Sequence, residues 1–129
     1  MAARESVPPE LFLSGYSDEI RDVAERLCDV VRDAVPESIE RVRTGWRLIG
    51  YDIPVGRQTR YFAWVWPEPE HVHLGWQFGI WMSDPDGILR GDHLNLRKVR
   101  YVTYQPGEPI PTDVLMGYTR EAAALAAMR

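Results

Sequence analysis

Residues 41–81 read RVRTGWRLIGYDIPVGRQTRYFAWVWPEPEHVHLGWQFGIW, and this stretch decides the fold. Aromatic and β-branched residues are dense in it and apolar positions recur with a period of two, the pattern of strands. Val42, Trp46 and Leu48 alternate with Arg43, Gly45 and Arg47 in a first strand over 41–53. A turn containing Gly56 is expected over 54–59, a second strand over 61–66, a turn at Pro67-Glu68-Pro69-Glu70, and a long third strand over 71–82. Short polar connections join antiparallel neighbours, so the strands read as a meander.

On the C-terminal side, Ser83-Asp84-Pro85-Asp86-Gly87 has turn chemistry, with Asp84 opening, Pro85 presetting φ and Gly87 closing. An ordered loop over 88–95, a fourth strand over 98–104 and a break over 106–111 follow. Thr112 and Asp113 then cap a last helix that carries Val114, Leu115, Tyr118, Ala122 and Leu125 on one side. On the N-terminal side, residues 1–9 read as a loose arm and 10–13 as a single helical turn closed by Gly15. Ser17 can cap the helix that comes next, Asp18 and Glu19 suit the positive end of its dipole, and Pro36 stops it. Between these signals Ile20, Val23, Ala24, Leu27, Val30, Val31 and Ala34 recur at helical spacing and make one apolar stripe.

The expected fold is therefore α+β, a single domain over 1–129 in two layers, with an antiparallel meander packed by an N-terminal and a C-terminal helix. Strand parity puts Val72, Leu74, Trp76, Phe78 and Ile80 on the face of Val42, Trp46 and Leu48, toward the helices. At 129 residues, 45% apolar and 26% charged, the chain can bury an ordinary core and does not have the composition of a disordered one. A net charge of -4 argues against nucleic acid as a partner. Fourteen of the fifteen basic residues are Arg and only Lys98 is Lys, which suits bidentate anion contacts but is better explained by GC-rich codon usage. Cys28 is the lone cysteine, so an internal disulfide is excluded. Residues 1–9 have no apolar signal region and no stretch approaches the ~20 apolar residues of a membrane span, so a cytoplasmic address is expected.

Several segments in order resemble a known family: Pro36-Glu37-Ser38, Gly45-Trp46-Arg47-Leu48-Ile49-Gly50-Tyr51, His71-Val72-His73-Leu74-Gly75, Asp84-Pro85-Asp86-Gly87-Ile88-Leu89-Arg90-Gly91 and Val99-Arg100-Tyr101-Val102. Together, over about residues 10–127, they look like the YdhG-like domains of unknown function. The resemblance implies a bacterial α+β domain related in fold to secretion-chaperone-like proteins, with no settled activity. Some members carry a frataxin-like iron-chaperone label, so metal handling is an alternative that the resemblance brings.

No residue is assigned a catalytic role. There is no Gly-x-Ser-x-Gly elbow and no glycine loop preceding a helix, and Cys28 lies mid-helix beside the apolar stripe as a small core residue. A small enzyme of unknown substrate stays a further alternative. Asp84, Asp86 and Asp92 offer a carboxylate cluster, but Asp84-Pro85-Asp86-Gly87 is better explained as a turn. The acidic residues Asp18, Glu19, Asp22, Glu25, Asp29 and Asp33 alternate with Arg21, Arg26 and Arg32, and Arg21 with Glu25 and Asp22 with Arg26 are at i,i+4 spacing, as on a solvated, salt-bridged face. His71 and His73 project from one face of a strand, and His93 is a conceivable third ligand. Two histidines are too few for a site, and no Cys or Glu is fixed near them by local spacing, so neither a metal nor a cofactor is expected and folding should be indifferent to a chelator.

The face opposite the expected core is the most informative. Gly45, Gly75 and Gly79 share parity with Arg43, Arg47, Tyr51, His71, His73, Gln77 and Trp81, so three missing side chains would leave a shallow trough rimmed by polar groups. Arg43, Arg47, Tyr51, His73, Gln77 and Trp81 are accordingly the candidate ligand-binding residues, for a small anionic or aromatic ligand in a non-enzymatic binding or interaction module. Close packing against a helix and a homodimer contact are equally compatible with the same glycines. Trp64 and Trp66, on one face of a short strand, offer rings on which a ligand can stack.

Overall fold

The computed structural model describes residues 7–91 and 96–128, so the first six residues of the expected arm, and Asp92 and His93 with their neighbours, lie outside the described residues. A short helix α1 (Pro9–Leu13) precedes α2 (Asp18–Ala34), β1 (Ile39–Arg43), β2 (Leu48–Val55), β3 (Gln58–Pro67), β4 (Val72–Trp76), a 3₁₀ turn (Gly79–Trp81), β5 (Arg100–Tyr104) and α3 (Thr112–Ala127). The strands form one antiparallel sheet in the order β1-β2-β3-β4-β5, and α2 and α3 touch each other and the sheet. This is the expected α+β meander with one strand more. Among the described residues no helix is long and apolar enough to cross a membrane.

The Ser17 hydroxyl accepts from the Ile20 amide at 3.2 Å and so satisfies one orphan donor at the start of α2. The whole predicted stripe is buried, together with Cys28. Burial pushes the Cys28 thiol up to about 12, so it is a protonated core group rather than a nucleophile. Native protein should accordingly resist labelling by 5,5′-dithiobis(2-nitrobenzoate) until it is unfolded, and labelling at the rate of an exposed thiol would contradict this packing. In α3, Thr112 is the first helical residue and Pro111 is the N-cap, with no side-chain cap bond, which corrects the expected cap. Leu115, Tyr118, Thr119, Ala122, Ala123 and Ala126 form its buried side.

The expected first strand is two strands. Residues 44–47 make a tight connection, with the Trp46 amide donating to Arg43 O and the Arg47 amide to Thr44 O, and Arg47 at φ 57. Arg43 then pairs with Leu48. Cross-strand partners share a face, so even-numbered residues face the helices before the turn and odd-numbered ones after it. Val42 points into the core as expected, whereas after the turn it is Ile49, Tyr51 and Ile53 that do so. Tyr51 is therefore not on the polar face. Its hydroxyl donates to Glu40 Oε2 at 2.6 Å, and Arg32 grips both oxygens of Glu40 at 2.8 and 3.0 Å, which ties α2 to the sheet edge. Trp46, expected in the core, is at the hairpin tip and 61% exposed.

The expected third strand is cut short. Val72, Leu74 and Trp76 are fully buried, but after Trp76 the chain bends, with the Gln77 amide donating to Phe62 O and the Ile80 amide to Lys98 O. Gly79 presses against the chain at Arg100, where an added Cβ would stand 2.6 Å from the Arg100 nitrogen. Phe78 is consequently only half-buried, and Ile80 is exposed. The Asp84 turn is structural, as expected. Its carboxylate accepts from the Ile88 and Leu89 amides and from the Tyr118 hydroxyl, the last at 2.7 Å, and so moors the loop to α3.

Candidate functional site

With α2 and α3 covering one face, the other face of the sheet is open, and its side chains come from alternate positions of each strand. Cross-strand pairing aligns Gly50 with Trp64, Trp64 with Gly75, and Gly75 with Tyr101, while Trp66 pairs with His73 and His73 with Thr103. Gly75 is not an empty floor. A Cβ placed there would overlap carbons of the Trp64 ring, so the indole already lies across the glycine. Tyr61 stacks on Trp64 with ring centroids 6.1 Å apart and planes 13° apart. Gly45 is in the hairpin turn and Gly79 faces Arg100, so the three glycines share no trough. The expected trough is therefore not formed, because the turns at 44–47 and after Trp76 reset the strand parity.

The six candidate residues separate. Arg43 is on the open face but engaged, with its guanidinium 3.2 Å from Asp52 and 4.8 Å from the Tyr61 ring centroid. Gln77 borders a shallow aromatic depression with Trp46, Leu48, Tyr61, Trp64 and Trp66. Arg47 is at the hairpin tip, lining a crevice of about 320 Å³ that also includes Tyr16, Trp66 and Glu68. Tyr51 is in the core. Trp81 belongs to the 3₁₀ turn, its ring 6.1 Å from that of Phe78, and it lines none of these recesses.

Of the six, His73 borders a half-open pocket with a mostly apolar lining. A space of about 460 Å³ is lined by Trp64, Trp66, His73, Leu96, Val99 and Tyr101. The two tryptophans lie on one face of β3, as their spacing implied. Leu96, Val99 and Tyr101 were not anticipated; they come from β5 and the segment leading into it, whose position beside β4 only the sheet order reveals. His73 forms the polar end of this apolar space. Its ring lies between those of Trp66 and Tyr101, at 5.1 and 5.3 Å, and meets Tyr101 edge to face.

Behind His73 is a polar cluster. His73 Nδ1 is 2.7 Å from Thr103 Oγ1 and its Nε2 is 2.6 Å from Glu68 Oε1, while His71 Nε2 is 2.9 Å from the same Glu68 oxygen. The hydrogen bond from His73, then that from His71, holds the Glu68 carboxyl below its ordinary value. Burial holds His73 below the ordinary histidine value, and the neighbouring Glu68 carboxylate opposes that shift. Glu68 was missed because it is in a turn. Pro67 and Pro69 fix φ on both sides of it, its amide donates to His71 O at 2.8 Å, and the β3–β4 connection folds it back over the two histidines.

The acidic residues of α2 behave as a salt-bridged surface. Arg21 bonds Asp18 at 2.8 Å rather than Glu25, Arg26 lies 3.5 Å from Asp22, and Arg32 reaches Asp29 as well as Glu40. No protein-family model, no curated protein and no solved structure matches this chain.

Proposed function

We propose that this protein is a small-ligand-binding module, and that its ligand is a compact aromatic molecule bearing an anionic or hydrogen-bonding group. The observation that carries this reading is the cavity of about 460 Å³ walled by Trp64, Trp66, Leu96, Val99 and Tyr101 with His73 at one end. That volume is within the ~300–1,000 Å³ of small-molecule sites, and an apolar wall with few polar groups is their usual chemistry. Stacking on indole favours a flat ring, and the imidazole gives its polar substituent a partner. Membership of the YdhG-like family, inferred from the ordered sequence motifs, belongs to the same proposal and implies no particular activity.

A panel of aromatic carboxylic acids should give saturable changes in tryptophan fluorescence. Trp66→Ala should weaken the best of them about tenfold, the scale of a ring contact plus its buried area. Trp81→Ala, outside the cavity, should leave affinity unchanged. A panel without any saturable shift, or equal losses from both substitutions, counts against the reading.

A second occupant is favoured by one observation: Trp46 and Trp66, on this same face, are 61% and 40% exposed. A second copy laid on the aromatic face would cover them. Light scattering would then give twice 14.9 kDa, with Trp66→Ala returning the monomer mass. A monomer mass across micromolar concentrations removes this occupant.

A further inference from the structure

We infer that Glu68, His71 and His73 form a binding site for a single divalent transition ion of the zinc type, built on the β3–β4 turn. Their donor atoms all lie within 4.8 Å of one another. Donors bonded tetrahedrally at about 2.0–2.1 Å to zinc stand about 3.4 Å apart, so side-chain rotation alone brings the three into range. Both histidines already present Nε2 to one carboxylate oxygen.

Two imidazoles and one carboxylate are the donor set of three-ligand zinc and iron(II) sites, which leave further positions for water or a ligand. Nitrogen donors exclude a site made for calcium or magnesium, which takes oxygen ligands. The surroundings fit as well. Thr103 Oγ1, 2.7 Å from His73 Nδ1, is an outer partner of the kind that orients a metal-bound imidazole and fixes its tautomer. When Nδ1 donates to Thr103, Nε2 turns a lone pair toward Glu68 Oε1 only 2.6 Å away, and two lone pairs so placed need a cation between them. A proton can fill that role, with Nε2–H donating to Glu68 and the Thr103 hydroxyl donating to Nδ1. A metal ion does so once the two donors separate to about 3.4 Å. Glu68 and His71 side chains are each 35% exposed, which gives the ion a path from solvent, whereas His73 is 13% exposed and anchors the site.

The site is separate from the aromatic cavity in its donors except for His73, and it stands whether or not an organic ligand occupies that cavity. The core lies on the other face of the sheet, so the ion adds to stability without being needed for folding.

Calorimetric titration of the metal-free full chain with Zn²⁺, repeated with Co²⁺ and its visible absorption, tests this. One ion per chain is expected, with a rise in melting temperature that a chelator reverses to the metal-free value. His71→Ala and Glu68→Gln, both at half-exposed positions, should weaken Zn²⁺ by more than the outer-partner variant Thr103→Val, for which about tenfold is expected. His93→Ala should bind normally. Melting temperatures of the metal-free variants report folding, and if His73→Ala is too unstable the two half-exposed variants decide alone. The inference is overturned if Zn²⁺ shows no saturable binding, if His71→Ala and Glu68→Gln bind like the parent, or if His93→Ala alone abolishes binding. Because none of these readouts uses an aromatic ligand, failure here leaves the cavity reading untouched, and failure of the fluorescence panel leaves this one untouched.

Discussion

Trp76→Ala is expected to lower the free energy of unfolding by about 3–5 kcal/mol, the range for deleting a buried large aromatic. Trp76 is fully buried on β4, its ring centroid 5.9 Å from that of Tyr118 on α3. Its indole N–H donates to Thr119 Oγ1 at 3.2 Å, and that hydroxyl donates in turn to Leu115 O at 2.8 Å. The substitution therefore opens a cavity between sheet and helix and removes a hydrogen bond to a fully buried hydroxyl. Trp76→Phe separates the two losses, because it keeps most of the volume and should cost less. Urea unfolding followed by circular dichroism measures both. A loss below about 1 kcal/mol for Trp76→Ala would show that Trp76 does not join the layers, since exposed substitutions rarely exceed half of that.

Gly75→Leu should cost about 1–3 kcal/mol, the scale of forcing extra atoms into filled space, and should abolish the fluorescence response to aromatic acids. The reason is specific. The new Cβ would occupy the position of the Trp64 ring, which is itself stacked on Tyr61 and forms a wall of the cavity. Relief of the penalty is the sharper test. In a Trp64→Ala background the obstruction is gone, so Gly75→Leu should cost little or add stability, and the two substitutions should be strongly non-additive. Additive losses would mean that the indole does not rest on Gly75.

How much was legible from sequence follows from how far each signal acts. The stripe of α2 was readable because its seven apolar positions, its Ser17 cap and its flanking acids all lie within one helix. The parity argument needs an uninterrupted strand, and it failed where the chain turned at 44–47 and after Trp76. A single turn with Arg47 at φ 57 moved Tyr51 from the open face to the core. The expected proline turns at 67–70 and 83–87 are present, whereas Pro54 lies inside β2, which narrows the turn expected over 54–59 to residues 56–57, and the turn at Gly45 carries no proline. In the candidate site, His73, Trp64 and Trp66 were visible because strand spacing alone puts them on a face. Leu96, Val99, Tyr101 and Thr103 were not, since they meet β4 only through the pairing with β5. Glu68 was the nearest miss: a carboxylate three residues before one histidine and five before the next is a local pattern once the Pro67–Pro69 turn is taken as fixed.

The sheet order also bears on how the chain reaches this structure. Every strand pairs with its neighbour in sequence, and the first three ladders close loops of four, two and four residues, so loop-closure entropy is met there in small steps, whereas β4 and β5 are joined by the longer segment 77–99. β2 and β3 are joined by two residues with Gly56 at φ 63, where a hairpin turn of the II′ kind requires glycine. The helices supply the more distant encounters, α2 with α3 from opposite ends of the chain and each of them with the sheet. Trp76 is covered by α3 through Tyr118 and Thr119, so a C-terminal truncation that removes this helix should expose Trp76 to solvent.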